Sequence, residues 1–173
     1  AKQGGSVAYI HLIVLEGRRR NFEAARDWIR RLRDDEELDE ELAAQADELE
    51  AMLDDVESGR RREEMAERAS EFAELHDLAE LELVTACKRL DQWIDESRES
   101  CLEECDELAC FLGERFQDER SGQWLVSLDL SSSIIEYPDG IFSPFELVER
   151  RLQDEETLVE GIDGLGKSGS DSS

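Results

Sequence analysis

The sequence predicts a mainly α-helical fold, either a long antiparallel helical hairpin or a small helical bundle, with a minor β element that leaves an α+β arrangement open. Apolar residues recur at steps of three and four through most of residues 36–117, which is helical spacing. Between residues 123 and 137 the spacing changes to the alternation of a β-strand. Charged residues make up 38% of the chain and hydrophobic residues 39%, a balance typical of helices with large solvated faces.

The length of 173 residues predicts one domain, which we place at residues 7–160. Residues 1–6 are expected to form a flexible lead. Residues 161–173 contain four glycines and four serines, so we expect a disordered tail there. The β-containing part of the domain is expected near residues 121–142.

An apolar run and a basic helix are the first predicted elements. Residues 7–15 are apolar except for His11, and their periodicity does not decide between a buried strand and a buried helix. Asn21 is a good N-cap residue for the helix that follows. Arg26, Arg30 and Arg33 share one side of that helix, because residues three and four apart lie on the same face.

If residues 7–15 are helical, this first stretch resembles one helix pair of the tetratricopeptide repeat family. The resemblance is carried by Ala8, Leu12, Asn21-Phe22-Glu23 and Ala25, and it covers about 25 residues. A second unit at the expected period of about 34 residues is absent. The resemblance therefore implies helix-pair packing and nothing further.

Two longer helices are predicted next. Residues 36–57 place apolar side chains in one heptad frame, and Ser58-Gly59 is a suitable helix end. Residues 60–95 carry the clearest stripe, formed by Met65, Ala69, Phe72, His76, Ala79, Leu83, Ala86, Leu90 and Trp93. We predict that the two helices pack as an antiparallel hairpin. Residues 98–117 extend it or add a third helix beyond a break near residues 97–100.

A β element and a further helix are predicted after residue 121. Residues 124–130 alternate apolar and polar side chains, and residues 134–137 form a second strand candidate. Residues 138–140, Pro-Asp-Gly, have the composition of a turn. Ser143 is placed to cap a helix, with proline in its first turn and Glu146 completing a capping box.

The charge is divided unevenly along the chain. Residues 1–33 carry eight basic and three acidic side chains, a net charge of +5. Residues 34–173 carry twelve basic and forty-three acidic side chains, a net charge of −31. Such a division bears on solubility and partners rather than on fold. The acidic excess has three interpretations: a solubilising surface, an adaptation to high salt, or a surface that competes with nucleic acid for a basic partner.

The arginine cluster is the strongest candidate binding feature. Its members are Arg18, Arg19, Arg20, Arg26, Arg30, Arg31 and Arg33, with Phe22 and Trp28 interleaved. Such a cluster can bind the phosphate backbone of a nucleic acid. The alternative, which we favour, is that the basic helix lies against acidic helices of its own chain.

No set of residues has the pattern of a catalytic centre, a cofactor site or a metal site. Cys101, Cys105 and Cys110 are close in sequence, but metal sites usually need two close cysteine pairs or well-placed histidines. We expect these cysteines and Cys87 to be reduced, as core residues of a protein in an intracellular compartment, cytoplasmic or nuclear. No apolar run reaches the ~18 residues of a membrane span.

We therefore expect a non-enzymatic, acidic, helical interaction protein, an adaptor, regulator or inhibitor, that binds a protein partner of basic character or a second copy of itself. The predicted contacts are Arg18, Arg19, Arg20, Arg26 and Arg30, together with Phe142 and Phe145 at an exposed apolar corner. Two alternatives remain open. One is a nucleic-acid-mimicking inhibitor of a DNA- or RNA-binding protein, and the other is an RNA-binding protein that uses the arginine cluster.

Overall fold

Helices dominate the structure, a computed structural model that describes residues 3–168. The helices are α1 (Gln3–Arg18), α2 (Phe22–Arg33), α3 (Glu40–Glu57), α4 (Arg60–Leu75), α5 (Leu83–Glu96), α6 (Arg98–Glu103), α7 (Cys105–Arg120), α8 (Pro144–Leu152) and α9 (Leu158–Ser168). The strands β1 (Gln123–Leu125), β2 (Ile134–Tyr137) and β3 (Gly140–Phe142) form an antiparallel sheet in that order. The predicted mainly α-helical class with a minor β element is confirmed.

The chain folds into two compact units. The first unit comprises Ala1–Arg61 and Val126–Ser132, and the second comprises Arg62–Leu125 and Ser133–Ser173. Residues 7–160 contribute to both units, and the expectation of a single domain there stays a prediction. Each unit has its own set of buried apolar side chains.

The first unit is a bundle of α1, α2 and α3, with α1 and α2 paired most extensively. Its core consists of Ile13, Ala25, Ile29, Leu32, Ala46, Leu53 and Leu128. Residues 7–15 are therefore helical, which settles the choice that periodicity left open, and the expected helix-pair packing is confirmed. Asn21 Oδ1 accepts the Ala24 N–H at the start of α2, as its N-cap role predicts. Gly17 lies where a Cβ would be 2.8 Å from Leu128 Cδ2, so α1 approaches this leucine closely.

The predicted continuous helix over residues 60–95 is wrong, because the chain turns between α4 and α5. The Leu78 N–H donates to Ala73 O, and the Asp77 N–H donates to Glu74 O. Asp77 has a φ of 56°, so the end of α4 is a Schellman motif with a non-glycine residue in the left-handed position. Leu78 is nevertheless fully buried, whereas Ala79, the stripe residue in the turn, is exposed.

The same left-handed backbone follows three other helices. Arg20 follows α1, Ser121 follows α7 and Asp154 follows α8, with φ values of 63°, 54° and 59°.

The break expected near residues 97–100 is confirmed, since α5 ends at Glu96.

The predicted hairpin between residues 36–57 and 60–95 is also wrong. Helix α3 packs against α1 and α2 in the first unit, whereas α4 and α5 belong to the second unit. The structure therefore contains helical bundles rather than one long hairpin.

The sheet lies within the expected residues 121–142, but its first strand is shorter than the predicted alternation over residues 124–130. Strand β1 stops at Leu125, because Leu128 packs in the core of the first unit instead of extending the sheet. The predicted strand at residues 134–137 is confirmed, and the turn at 138–140 leads into the third strand. Ser143 Oγ accepts the Glu146 N–H, which confirms the predicted start of α8.

The predicted disordered tail is wrong for residues 161–168, which belong to α9. Leu158 and Ile162 are buried, so this helix is held by apolar packing despite its glycines. The flexible lead is likewise wrong for residues 3–6, which form the start of α1. Residues 1–2 and 169–173 lie outside the described residues.

Hydrogen bonds of Arg151 and Asp91 connect α8 and α9 to α5 within the second unit. The Arg151 Nε donates to Asp91 Oδ1 over 2.8 Å, and its Nη2 donates to Asp95 Oδ1 over 2.6 Å. Asp91 also accepts the Leu158 and Val159 N–H groups at the start of α9. Only 5% of the Arg151 side chain is exposed, so its charge depends on these acidic partners.

Replacing Arg151 by methionine (Arg151→Met) is expected to lower the free energy of unfolding by about 3 kcal/mol, because Asp91 would be left partly buried without its cation. Urea unfolding followed by circular dichroism measures the change. Arg150→Met is the matched control, since Arg150 is exposed and pairs with Glu146 and Glu156 at the surface. Equal losses for the two variants would contradict the assigned role of Arg151.

Candidate interaction surfaces

The arginine face of α2 is occupied by acidic side chains of α3. Arg26 Nη2 lies 2.7 Å from Asp54 Oδ1, and its Nε lies 3.1 Å from Glu57 Oε1. Arg33 Nη2 lies 2.8 Å from Asp47 Oδ1, and its Nη1 contacts Glu50. We call this set of ion pairs, formed by Arg26, Arg33, Asp47, Glu50, Asp54 and Glu57, the arginine ladder.

The arginine ladder confirms the intramolecular alternative for Arg26 and Arg33. Hydrogen bonding to Asp54, and then to Glu57, raises the pKa of Arg26 above its ordinary value. The four acids are spaced three and four residues apart along α3, so they share one face of that helix. A phosphate backbone would have to displace these carboxylates before it reached the two guanidinium groups.

Two further predicted contacts are paired within the first unit. Arg18 Nε donates to Asp129 Oδ2 over 2.6 Å, and Arg30 Nη2 lies 3.0 Å from Asp27 Oδ1, one turn earlier on α2. The Arg30 pair is strongly exposed, with 72% and 52% of the two side chains accessible, so it contributes little to stability.

The remaining arginines of the cluster lie at the surface of the first unit. Arg19 and Arg20 are exposed at the turn between α1 and α2, and the Arg20 guanidinium lies 5.7 Å from the centroid of the Phe22 ring. Arg31 lies 4.6 Å from the centroid of Trp28, so both aromatic residues interleaved in the cluster have a cation over the ring.

Phe142 and Phe145 are buried in the second unit, so their predicted exposure at an apolar corner is wrong. Phe142 is 4% exposed, and its ring centroid lies 4.4 Å from that of Phe116 on α7. The alternation of β3 turns Phe142 inward and Ile141 outward, where it is 59% exposed. The two phenylalanines therefore serve the core.

The four cysteines are free thiols, and the predicted core position is confirmed for Cys87, Cys101 and Cys110. Burial raises the pKa of Cys87 and Cys110 to about 12 and that of Cys101 to about 11. Cys105 is partly exposed, and its pKa is raised by partial burial. Among the described residues, no group of three or more histidine, cysteine, aspartate or glutamate side chains is arranged to hold a metal ion.

His76 lies in an aromatic cluster at the end of α4. Its ring centroid lies 4.3 Å from that of Phe72 and 4.5 Å from that of Trp93. Its Nε2 lies 3.2 Å from Glu104 Oε1, at the junction of α6 and α7. His76 is thus partly buried and hydrogen-bonded, and its contact with Glu104 joins two segments that carry exposed leucines.

Leu75 and Leu102 are the most exposed leucines of the second unit, with 71% and 57% of their surfaces accessible. Leu75 directly precedes His76, and Leu102 lies two residues before Glu104. Glu71 and Glu99 lie one helical turn before the two leucines, on the same helix faces. Both glutamates are exposed, and within the part of the chain that the structure describes neither is paired with a cation. We call these four residues, which lie on two segments joined by the His76–Glu104 contact, the acidic leucine surface.

Sequence reasoning did not select either leucine as a contact. Leu102 lies off the stripe that continues through Cys101 and Cys105, and Leu75 lies between the stripe positions 72 and 76. Position outside the stripe is not a sufficient signal, because Leu78 and Ile94 also lie outside it and are fully buried.

A second exposed apolar surface lies on α1 in the first unit. Val7 is 46% exposed and Leu15 is 41% exposed, and Ala8 and His11 between them are also exposed. We call these four residues the α1 outer face. Val7, His11 and Leu15 recur at steps of four, and Ala8 lies three residues before His11, so the four share one side of the helix.

Comparison with protein-family models, with curated proteins and with solved structures found no match to this chain. Over residues 3–168, no helix combines the length and the apolarity that crossing a bilayer requires.

Loss of the arginine ladder is expected to destabilise the first unit modestly. Arg26→Gln and Arg33→Gln should each lower the free energy of unfolding by less than about 1 kcal/mol, because the pairs are partly exposed. Urea unfolding at low and high salt measures the difference from wild type, which should shrink as salt screens the pairs. Arg19→Gln is the control, and an equal loss for that variant would contradict the assignment.

Thiol alkylation of the folded protein at pH 8 should modify Cys105 first and leave Cys87, Cys101 and Cys110 unmodified. The raised pKa values keep these thiols protonated at that pH, and burial excludes the reagent. Mass spectrometry of digested samples locates the modified residues, and unfolding in urea should expose all four. Rapid modification of Cys87 or Cys110 in the folded chain would be inconsistent with their burial.

Proposed function

We propose that this chain is a non-enzymatic interaction protein, an adaptor, regulator or inhibitor, that binds a basic amphipathic segment of a protein partner at the acidic leucine surface. The observation that carries the proposal is the exposure of Leu75 and Leu102 beside glutamates that lack a cation in the described part of the chain. The four free cysteines support an intracellular, reducing compartment as part of the proposal.

The exposed leucines supply the apolar contact that the proposal needs. An amphipathic helix binds by placing residues one turn apart against apolar side chains of its partner. Leu75 and Leu102 flank the His76–Glu104 contact, so they belong to segments that are already held together. The His76 ring also packs against the aromatic rings of Phe72 and Trp93, which helps to hold it in this contact.

The charge around the leucines favours a basic partner. Glu71 and Glu99 have no cation among the described residues, and the whole chain carries a net charge of −26. A basic segment would gain complementary charge contacts and would be attracted over a distance before it bound. Association should therefore weaken as salt is added.

The two nucleic-acid alternatives find less support in the same geometry. The arginine ladder engages Arg26 and Arg33, and Arg18 has its own acidic partner, so few cations of the cluster are left for a phosphate backbone. Mimicry of a nucleic acid uses carboxylates in place of phosphates and has no need of exposed leucines.

Binding of a dye-labelled peptide tests the proposal. The peptide is a leucine–lysine helix of about 18 residues, ~27 Å long, with its leucines on one face. Fluorescence anisotropy should show binding to the wild-type chain that the double variant Leu75→Ser and Leu102→Ser weakens at least about tenfold. Ile141→Ser, at an exposed apolar residue outside both this surface and the α1 outer face, is the control and should bind like wild type.

Two further arms separate the competing explanations. A peptide of the same composition with its leucines scattered around the helix should bind weakly, and equal binding would show that charge alone is recognised. Retention of single-stranded RNA that is lost on substituting Arg19→Gln and Arg20→Gln would favour the RNA-binding alternative and contradict the proposal.

A further inference from the structure

Helix α1 is uncharged over most of its length, in a chain that is otherwise densely charged. Residues 3–15 contain no acidic or basic side chain other than His11, whereas 38% of the whole chain is charged. The acidic and basic residues of α1, Glu16 and Arg18, lie in its last turn. A nearly uncharged helix such as residues 3–15 is unsuited to the solvated surface of a densely charged protein.

Both sides of α1 are apolar, but only one side is covered within the described chain. Ile13 is fully buried on the inner side, where Tyr9, Ile10 and Val14 also pack against the core of the first unit. The α1 outer face presents Val7, Ala8, His11 and Leu15 to solvent. A helix that is apolar on all sides is normally buried on all sides.

We propose that the α1 outer face binds a second copy of this chain, with α1 packed against α1. An interface between identical copies must be self-complementary, and an uncharged apolar face meets that condition. Two copies that each carry a net charge of −26 repel one another, and the repulsion is weakest where the facing helices carry no charge. A basic partner gains more from the acidic leucine surface, and an acidic partner gains more from Arg19 and Arg20.

The two helices run antiparallel in this dimer. A parallel pair would bring Arg18, Arg19 and Arg20 of both copies together, whereas an antiparallel pair keeps these cations at opposite ends. Antiparallel packing also aligns the helix dipoles favourably. His11 lies at the centre of the stripe from Val7 to Leu15, so in this arrangement it faces the same residue of the second copy.

The area of contact sets the strength of the dimer. Helix α1 has 16 residues and is therefore ~24 Å long. A single helix pair of this length buries much less than the ~1,600 Å² of a standard interface. We therefore expect a reversible dimer whose population depends on protein concentration and rises with salt, because salt screens the repulsion between the copies. This salt dependence has the opposite sign from that of the basic-peptide complex under "Proposed function".

Sedimentation velocity of the full chain over a range of concentrations tests the dimer. The wild-type protein should shift toward the dimer as protein or salt concentration rises, and the double variant Val7→Glu and Leu15→Glu should remain monomeric. Ile141→Glu is the control, since this exposed apolar residue lies outside α1, and it should dimerise like wild type. Circular dichroism should show that all variants keep the helical content of wild type.

Cysteine cross-linking tests the antiparallel arrangement separately. Under mild oxidation, His11→Cys should form a covalent dimer well above the wild-type background, whereas Val7→Cys should not, because residue 7 faces residue 15 of the other copy. A wild-type chain that is still monomeric at about 1 mM, or a dimer that survives Val7→Glu with Leu15→Glu, would overturn the proposal. Neither result bears on peptide binding at Leu75 and Leu102, so the two proposals fail independently.

Discussion

Excess negative charge constrains how both units are built, because 46 acidic residues share the chain with 20 basic ones. The structure places arginines between helices, where each cation contacts more than one acceptor. Arg26 bridges α2 to α3, Arg68 bridges α4 to Glu107 on α7, and Arg151 bridges α8 to α5. A guanidinium group suits this role because its several donors lie in one plane and engage two acceptors at once. The 17 arginines against 3 lysines fit that use.

The ion pairs that arginines form within the chain determine which acidic residues at the surface lack a cationic partner. Arginines that pair with acids between helices do not neutralise the other acids of the surface. Glutamates such as Glu71 and Glu99 therefore lack a cationic partner among the described residues. Exposed apolar side chains differ clearly from the charged residues that make up most of such a surface. The acidic leucine surface and the α1 outer face are two such places, one with acidic neighbours and one without charge, and the difference between them separates the partners that we propose.

Local chemistry was predictable from the sequence, whereas long-range placement was predictable only where charge indicated it. The caps at Asn21 and Ser143 act on residues within one turn, so short motifs identify them. The turn after α4 was missed because Asp77 occupies a position where glycine is expected, and the short β1 was missed because Leu128 packs in another unit. The arginine ladder was anticipated from charge and helical spacing, whereas the burial of Phe142 depends on its contact with Phe116, which no local pattern indicates.

The left-handed residues that end four of the helices have a consequence for the limits of this fold's stability. An L-residue in that conformation carries a steric cost of roughly 1–2 kcal/mol that glycine avoids, although glycine loses more backbone entropy on folding. Arg20, Asp77, Ser121 and Asp154 all bear this cost. The thermal stability of the native sequence is therefore lower than this backbone permits. A more heat-resistant version would need changes only at these four positions and none in the core.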